Sequence, residues 1–210
     1  MKKADIVREY GPFPGVAAVH GVTYDGENVW FASGDRVNEL DLASGKIKRS
    51  ITVAAHAGTA FDGKYLFQIA ESRIQKIDPE TGQILGSIPA PGGGEDSGLA
   101  WAEGTLWVGH YRQRQIHQVD PESGKVLRTI HSDRFVTGVT WLDGNLWHAT
   151  WEGDESELRC VDADTDLVKE KIRMPEGVNI SGLESDGREQ FFCGGGKAGK
   201  LRVVRRAKPR

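Results

Sequence analysis

The chain has 210 residues, with 27 Lys and Arg against 30 Asp and Glu, so its formal net charge is −3. A charge this close to zero argues against a protein whose main partner is nucleic acid or an anionic membrane surface. Its two Cys exclude a disulfide-rich scaffold and CxxC zinc sites. The 27 Gly and six Trp are an unusual combination that directs attention to internal repeats.

The apolar runs and the first residues of the chain indicate its compartment. No run approaches the ~18 consecutive apolar residues of a membrane span. The segment 1–10 carries basic side chains but lacks the apolar centre of a secretory signal. We therefore expect a cytoplasmic protein that does not bind membranes.

A repeat runs along the chain, marked by a Gly and by an aromatic residue nine positions later. The spacings between successive glycines are 37, 40, 40 and 44 residues. The five pairs are Gly21 and Trp30, Gly58 and Phe67, Gly98 and Trp107, Gly138 and Trp147, and Gly182 and Phe191.

Each repeat holds short apolar segments separated by turn sequences. Asp-Gly follows the first segment in four of the repeats, where a hairpin turn belongs. Turns such as Asp78-Pro79-Glu80-Thr81-Gly82 follow the third segment. Four short antiparallel strands per ~40 residues are the blade of a β-propeller. We predict an all-β fold, a five-bladed β-propeller of four-stranded antiparallel blades, as a single domain over residues 1–210.

The two ends of the chain predict how the ring closes. After Val204 only six residues remain, too few for the outer strand of the fifth repeat, whereas Ile6–Tyr10 precedes the first repeat and has no blade of its own. We expect the N-terminal strand, at about residues 5–10, to complete the last blade and so remove its exposed edge. We also expect a monomer.

One end of the ring is predicted to carry the functional site. In an antiparallel hairpin the start of the first strand and the end of the second lie together. Residues just before each repeat Gly therefore gather with those just after each repeat aromatic, on what we call the mixed face. Its polar and aromatic residues differ between repeats, as expected of a pocket for a small molecule or a peptide amino terminus. They include His20, His56, Glu71, Glu95, Asp96, His110, Tyr111, Trp151 and Lys197.

Four motifs resemble the plant and bacterial type of glutaminyl cyclase (glutaminyl-peptide cyclotransferase). Residues 66–69, LFQI, are similar to the family's L-Y-Q-L, and residues 95–99, EDSGL, to its E-G-W-G-L. Residues 146–154 resemble its I-W-A-N-V-W-Q-T-D, and Gly195-Gly196-Lys197 falls at its T-G-K. The family consists of five-bladed propellers that cyclise an N-terminal Gln, by attack of its α-amine on its own side-chain amide, with release of ammonia. The resemblance implies that reaction, without a metal or another cofactor.

The chain departs from the family pattern at several positions. His20 stands where the resemblance implies a Gln, and Phe31 stands where it implies a carboxylate. The acid of the second blade is missing from Ala57-Gly58-Thr59. Ser97 replaces a Trp, and Ala149 replaces an Asn. These departures favour functions other than cyclisation, whereas the order of the motifs favours cyclisation.

Cyclisation needs a proton acceptor for the ammonium, a proton donor for the departing ammonia and hydrogen-bond donors for the oxyanion. We predict Glu95 or Asp96 as the proton shuttle and Lys197 or Trp151 as the group that stabilises the developing charge, with His20 as a further catalytic candidate. The simpler interpretation is that these charged residues lie on solvated loops. The substrate-binding candidates are His56, Gln68, Glu71, His110, Tyr111, His148 and Trp151.

Two other classes of function fit the sequence. Four histidines, with Asp96, Glu71 or Glu152, form a donor set that suits a divalent metal, in a hydrolase or lyase of the lactonase or streptogramin B lyase type. No HxH or HExxH spacing fixes that set, so we predict no metal ligands. The third class is a non-catalytic module that binds a peptide or metabolite. The four histidines are His20, His56, His110 and His148.

Overall fold

The structure, a computed structural model, describes residues 2–206. The predicted domain also included Met1 and residues 207–210, which lie outside the described residues. The described residues form five β-sheets, and in each the innermost strand lies beside the innermost strands of the neighbouring sheets. The prediction of a five-bladed propeller with four-stranded antiparallel blades is confirmed. No helix among residues 2–206 is long and apolar enough to cross a membrane.

The strands of each blade follow one another from the inside outwards. Blade 1 contains β3 (Val22–Tyr24), β4 (Val29–Ala32), β5 (Gly34–Asp41) and β6 (Lys46–Ala55). Blade 2 contains β7 (Thr59–Phe61), β8 (Leu66–Ala70), β9 (Arg73–Ile77) and β10 (Ile84–Pro89). Blade 3 contains β11 (Asp96–Ala102), β12 (Thr105–His110), β13 (Gln115–Val119) and β14 (Val126–His131). Blade 4 contains β15 (Val136–Leu142), β16 (Asn145–Glu152), β17 (Glu155–Val161) and β18 (Val168–Arg173). Blade 5 contains β19 (Gly182–Ser185), β20 (Gln190–Gly194), β21 (Leu201–Arg205) and the N-terminal strand β2 (Asp5–Tyr10).

The N-terminal strand closes the ring as predicted. Strand β2 pairs antiparallel with β21, with Tyr10 opposite Leu201 and Asp5 opposite Arg205. A second short strand, β1 (Lys2–Lys3), pairs in parallel with the outer strand of blade 4, so that this sheet has five strands. The sequence did not predict β1, because a two-residue strand leaves no periodic pattern. Strands β1 and β2 thus add to the outer edges of two neighbouring blades, blade 4 and blade 5.

The repeat glycines lie where the innermost strands of neighbouring blades approach most closely. A Cβ atom on Gly58 would lie 2.4 Å from the backbone N of Leu99, and one on Gly138 would lie 2.5 Å from that of Leu183. At the ring closure, a Cβ on Gly182 would lie 2.2 Å from the carbonyl oxygen of His20. A side chain cannot be accommodated at these distances, so each blade requires Gly at this point.

The repeat aromatics fill the space between neighbouring blades. Trp107 and Trp147 are fully buried. Trp107 of blade 3 stacks on Trp141 of blade 4, with 5.1 Å between ring centroids. Trp147 of blade 4 lies 4.9 Å from Phe191 of blade 5. Large rings bury much apolar area each, which explains why an aromatic recurs nine residues after the Gly.

The turns at the end opposite the mixed face are built by Asp and a residue with positive φ. Asp78 accepts a hydrogen bond from the backbone N of Glu80 at 2.8 Å, and Gly82 adopts φ +73°. The degenerate turn of blade 4 has Asp166 in the same place, with φ +59°. Short polar side chains tolerate this left-handed conformation better than most residues, so the turn persists without its Gly.

Candidate functional site

The mixed face is formed by the connections between blades and by the loops that join the second and third strands. The connection to blade 2 is tied to the end of β8 by a hydrogen bond from the His56 backbone N to the Ile69 oxygen, 3.3 Å apart. In blade 3 the Tyr111 backbone N donates to the Glu95 oxygen, also at 3.3 Å. These bonds hold the candidate residues of each blade at one end, as the repeat alignment predicted.

Glu95 and His110 form a side-chain pair on blade 3. The Nε2 atom of His110 lies 3.4 Å from Oε2 of Glu95, and Nε of Arg112 lies 3.7 Å from Oε1. The carboxylate of Glu95 is exposed, whereas His110 is buried. An imidazole held beside an accessible carboxylate is an arrangement that passes protons to and from a bound substrate.

Asp96 does not lie on a solvated loop, as the simpler interpretation expected, but is buried behind the loop 92–94. It accepts hydrogen bonds from the backbone N atoms of Gly92 at 2.8 Å and Gly94 at 3.4 Å. Its register partner on β12 is His110. Burial raises the pKa of Asp96, an effect that the Gly92 and Gly94 N–H groups partly offset. Asp96 therefore fixes the loop and stands behind the imidazole, away from solvent.

A second group of candidates lies where blades 5 and 1 meet. His20 is half-buried, and its pKa is lowered by burial and by neighbouring His56, which favours a neutral imidazole at pH 7. Val19 and Gly196 form an antiparallel bridge, with N–O distances of 3.0 and 2.9 Å. The bridge brings the loop that carries Lys197 next to His20. The ammonium of Lys197 is exposed.

Gln68 and His148 are buried inside their blades and do not reach the mixed face. Gln68 has no exposed surface; its amide N donates to the backbone oxygens of Ala57 and Gly58, and its Oε1 accepts from Thr59. His148 is 1% exposed, and burial lowers its pKa to about 4, so the imidazole is neutral at pH 7. The prediction that these two residues contact substrate is not supported, because their side chains face the interior of the protein.

Tyr111, Trp151 and Glu71 do lie at the surface of the mixed face. Tyr111 Oη donates to the Trp151 backbone oxygen at 3.4 Å, which joins blades 3 and 4. Trp151 is 37% exposed, and its Nε1 donates to the Gly153 oxygen. Glu71 is exposed with φ +53°, and its backbone lies beside Gly94 of the blade 3 loop. Tyr111 and Glu71 thus adjoin the segment that carries Glu95, and Trp151 adjoins Tyr111.

The channel along the ring axis holds a carboxyl group that sequence reasoning missed. Glu184 of β19 accepts hydrogen bonds from Thr23 Oγ1 at 2.9 Å and from Thr140 Oγ1. The backbone N of Ser185 also donates to it, at 2.8 Å. Burial raises the pKa of Glu184 to about 7, although these three hydrogen bonds act in the opposite direction.

A signal for Glu184 was present in the repeat alignment. It occupies the second position after the repeat Gly, where the other blades have small or hydroxyl side chains, Thr23, Ala60, Ala100 and Thr140. A single carboxylate among these five equivalent positions indicates that Glu184 has a role that the other four residues do not share.

The histidines and acids of the mixed face do not form a metal centre. Within residues 2–206 no group of three or more His, Cys, Asp or Glu side chains is placed to hold a metal ion. His148, one of the four histidines of the predicted donor set, is buried in blade 4. The metal-dependent alternative therefore has no ligand set in the described part of the chain.

Comparisons with known proteins identify the fold. The crystal structure of Myxococcus xanthus glutaminyl cyclase matches with a TM-score of 0.80 over 97% of this chain and 96% of that chain, at 17% sequence identity. Kuenenia stuttgartiensis hydrazine synthase matches with a TM-score of 0.55 over 86% of this chain and 57% of that chain, at 18% identity. No protein-family model and no curated protein sequence matches. The chain has a glutaminyl cyclase-like five-bladed propeller fold.

Proposed function

We propose that the protein cyclises the N-terminal glutamine of a peptide to pyroglutamate at the mixed face, with release of ammonia. The observation that supports this most is the Glu95–His110 pair, with 3.4 Å between its nitrogen and oxygen, on a propeller of the glutaminyl cyclase fold. Fold likeness alone supports many activities, so the proposal rests on what this pair does with a substrate.

The substrate's α-ammonium binds beside the exposed Glu95 carboxylate. Glu95 takes a proton from the ammonium, and the neutral amine attacks the Cδ carbon of the side-chain amide. A C–N bond forms, and the negative charge moves to the amide oxygen. The tetrahedral intermediate collapses when the bond to the amide nitrogen breaks. By this stage Glu95 has released the first proton to water. It takes a second proton from the attacking nitrogen and passes it, directly or through His110, to the departing nitrogen, so that neutral ammonia leaves and the lactam keeps one N–H.

The other candidates have supporting roles in this proposal. Arg112 orients the Glu95 carboxylate, with its Nε 3.7 Å from Oε1. Glu71, beside the same loop, adds negative charge that attracts the ammonium. His20 and Lys197 lie together on the side of blades 5 and 1, where a neutral imidazole and an ammonium can donate hydrogen bonds to the developing oxyanion.

A second candidate function, binding without turnover, is favoured by one observation. Phe31, which stands where the resemblance implies a carboxylate, has no exposed surface and stacks on Phe13, with 5.0 Å between ring centroids. An apolar core contact has replaced a polar group there. In this second candidate the mixed face holds a peptide amino terminus or a small molecule and releases it unchanged.

We also propose the partner, oligomeric state and location of the protein. The protein binds a peptide amino terminus or small molecule and neither nucleic acid nor membrane. It acts as a monomer in the cytoplasm, without a cofactor.

The two candidates are separated by assaying ammonia release and product mass on peptides that begin with Gln, and binding of the same peptides by calorimetry. Cyclisation predicts ammonia in equal amount to a product that is lighter by one ammonia. Saturable binding without product supports the second candidate. If neither product nor binding is observed at high protein concentration, both candidates are wrong.

A further inference from the structure

Two aromatic rings stack across the boundary between blades 3 and 4 on the mixed face. Tyr111 lies in the loop after β12, and Phe135 lies in the connection before β15. Their ring centroids are 4.8 Å apart, with an angle of 24° between the planes. The guanidinium carbon of Arg114 lies 4.6 Å from the centroid of the Phe135 ring. We call Tyr111, Phe135 and Arg114 the aromatic platform.

The platform is held in place by the backbone and by one carboxylate. Oε1 of Glu152 accepts a hydrogen bond from the Phe135 backbone N at 3.0 Å, and its Oε2 accepts one from Arg134 at 2.5 Å. Tyr111 Oη donates to the Trp151 oxygen. Because the rings are already fixed, a ligand that stacks on them loses little entropy in ordering the site.

The platform differs from the other stacked rings of the propeller. The pairs between blades contain fully buried members such as Trp107, whereas Tyr111 and Phe135 both remain partly exposed on loops. Neither ring belongs to the apolar clusters of blades 3 and 4. Rigid, partly exposed aromatic rings are the kind of surface that binds planar or apolar groups.

The platform adjoins the Glu95–His110 pair. Tyr111 directly follows His110, and its backbone N donates to the backbone oxygen of Glu95 at 3.3 Å. A peptide whose first residue reacts at Glu95 therefore extends its second side chain within reach of the Tyr111 ring.

We propose that the aromatic platform is a subsite for the side chain of the residue that follows the N-terminal glutamine, and that it selects an aromatic ring at that position. The proposal rests on the proposed function for the identity of the first residue. An aromatic side chain gains ring stacking on Tyr111 in addition to the apolar contact that an aliphatic side chain makes.

The test compares Gln-Phe-Ala with Gln-Leu-Ala and Gln-Ala-Ala, by kcat/KM for cyclisation and by calorimetric Kd. We expect Gln-Phe-Ala to exceed Gln-Leu-Ala by about three- to tenfold, the range of a stacked aromatic pair. Tyr111→Leu and Phe135→Leu should each reduce this ratio to about one. Tyr65→Leu, which removes an aromatic ring at the opposite end of blade 2, is the matched control and should keep the wild-type ratio.

The outcomes separate the subsite from the reaction. Cyclisation of all three peptides at equal kcat/KM overturns the subsite and leaves the proposed function standing. Tighter binding of Gln-Phe-Ala that depends on Tyr111, without any product, supports the subsite and refutes cyclisation. If Phe135→Leu fails to fold, Tyr111→Leu alone decides. Absence of both product and binding overturns the subsite.

Discussion

Glu184 of blade 5 accepts a hydrogen bond from Thr23 of blade 1, with 2.9 Å between the oxygens, across the junction at which the ring closes. Thr140 of blade 4 donates to the other carboxyl oxygen. One side chain thus links the innermost strands of three blades. The equivalent residues of the other described innermost strands are Thr23, Ala60, Ala100 and Thr140, none of which titrates.

The ionisation of Glu184 should make the stability of the protein depend on pH. Its folded pKa of about 7 lies above the ordinary value of 4.5, so the folded protein binds the proton more tightly than the unfolded chain. The stabilisation from protonated Glu184 is complete below pH 4.5 and is lost as the pH rises through about 7, by on the order of 3 kcal/mol. Glu184→Gln should remove this dependence.

Urea unfolding of the wild type and of Glu184→Gln at pH values from about 5 to 8 measures the effect. As the pH rises, the unfolding free energy of the wild type should fall relative to that of the variant, because the amide of the variant carries no charge at any pH. The exposed turn residue Glu80 provides the control, because Glu80→Gln should follow the wild type at every pH. Parallel pH profiles for wild type and Glu184→Gln would contradict the role given to this carboxyl group.

Substitution of a repeat glycine should destabilise the ring. Gly58→Ala places a Cβ 2.4 Å from the backbone N of Leu99, and two innermost strands must move apart to relieve the clash. We expect a loss of about 3 kcal/mol in unfolding free energy. Gly86→Ala is the matched control: its Cβ would meet nothing within 4 Å, and its effect should stay within about 0.5 kcal/mol. Equal effects of the two substitutions would refute the steric explanation of the repeat.

Removal of the strand that completes blade 5 should unfold the protein. A chain that begins after Tyr10 lacks β2, so the outer edge of β21 has no partner strand. The buried Tyr10 ring and its 2.9 Å hydrogen bond to the Leu42 backbone oxygen are lost as well. We expect loss of the cooperative thermal transition. A chain that begins after Ala4 lacks only β1 and should keep it.

Addition of a synthetic peptide of residues 5–10 to the shorter chain gives a second readout. The peptide should restore the transition in a concentration-dependent way, since a bound strand stabilises by mass action. A cooperative transition in the shorter chain without the peptide would show that blade 5 is stable with three strands.

The repeat could be predicted from the sequence because each of its marker residues meets a packing requirement that every blade shares. Gly58 and Gly138 stand where backbones approach, and Trp107 and Trp147 fill the space between blades, so the pattern recurs wherever the geometry does. The exchanged strand β2 was predictable for the same reason: the fifth repeat lacked an outer strand, and an unpaired edge is unfavourable.

Which polar side chains are buried and which reach the mixed face could not be predicted from the sequence in the same way. Gln68 and His148 occupy the same place in the second strand of their blades, and both point into the protein, whereas His110, two positions further on in its own strand, reaches the Glu95 carboxylate. Glu184 was missed because its partners Thr23 and Thr140 are 161 and 44 residues away in the chain. Only the closed ring brings these residues together.

The role of Glu95 as the proton shuttle is tested most directly by the mass of the product from a Gln-Phe-Ala peptide, measured with the wild type, Glu95→Gln and Glu80→Gln. We expect a product lighter by one ammonia from the wild type and from Glu80→Gln. The rate of Glu95→Gln should be lower by about 100-fold or more, the contribution of one acid–base group, with all three proteins folded to the same extent. Equal rates from Glu95→Gln and the wild type, or no product from the wild type, would contradict this role of Glu95.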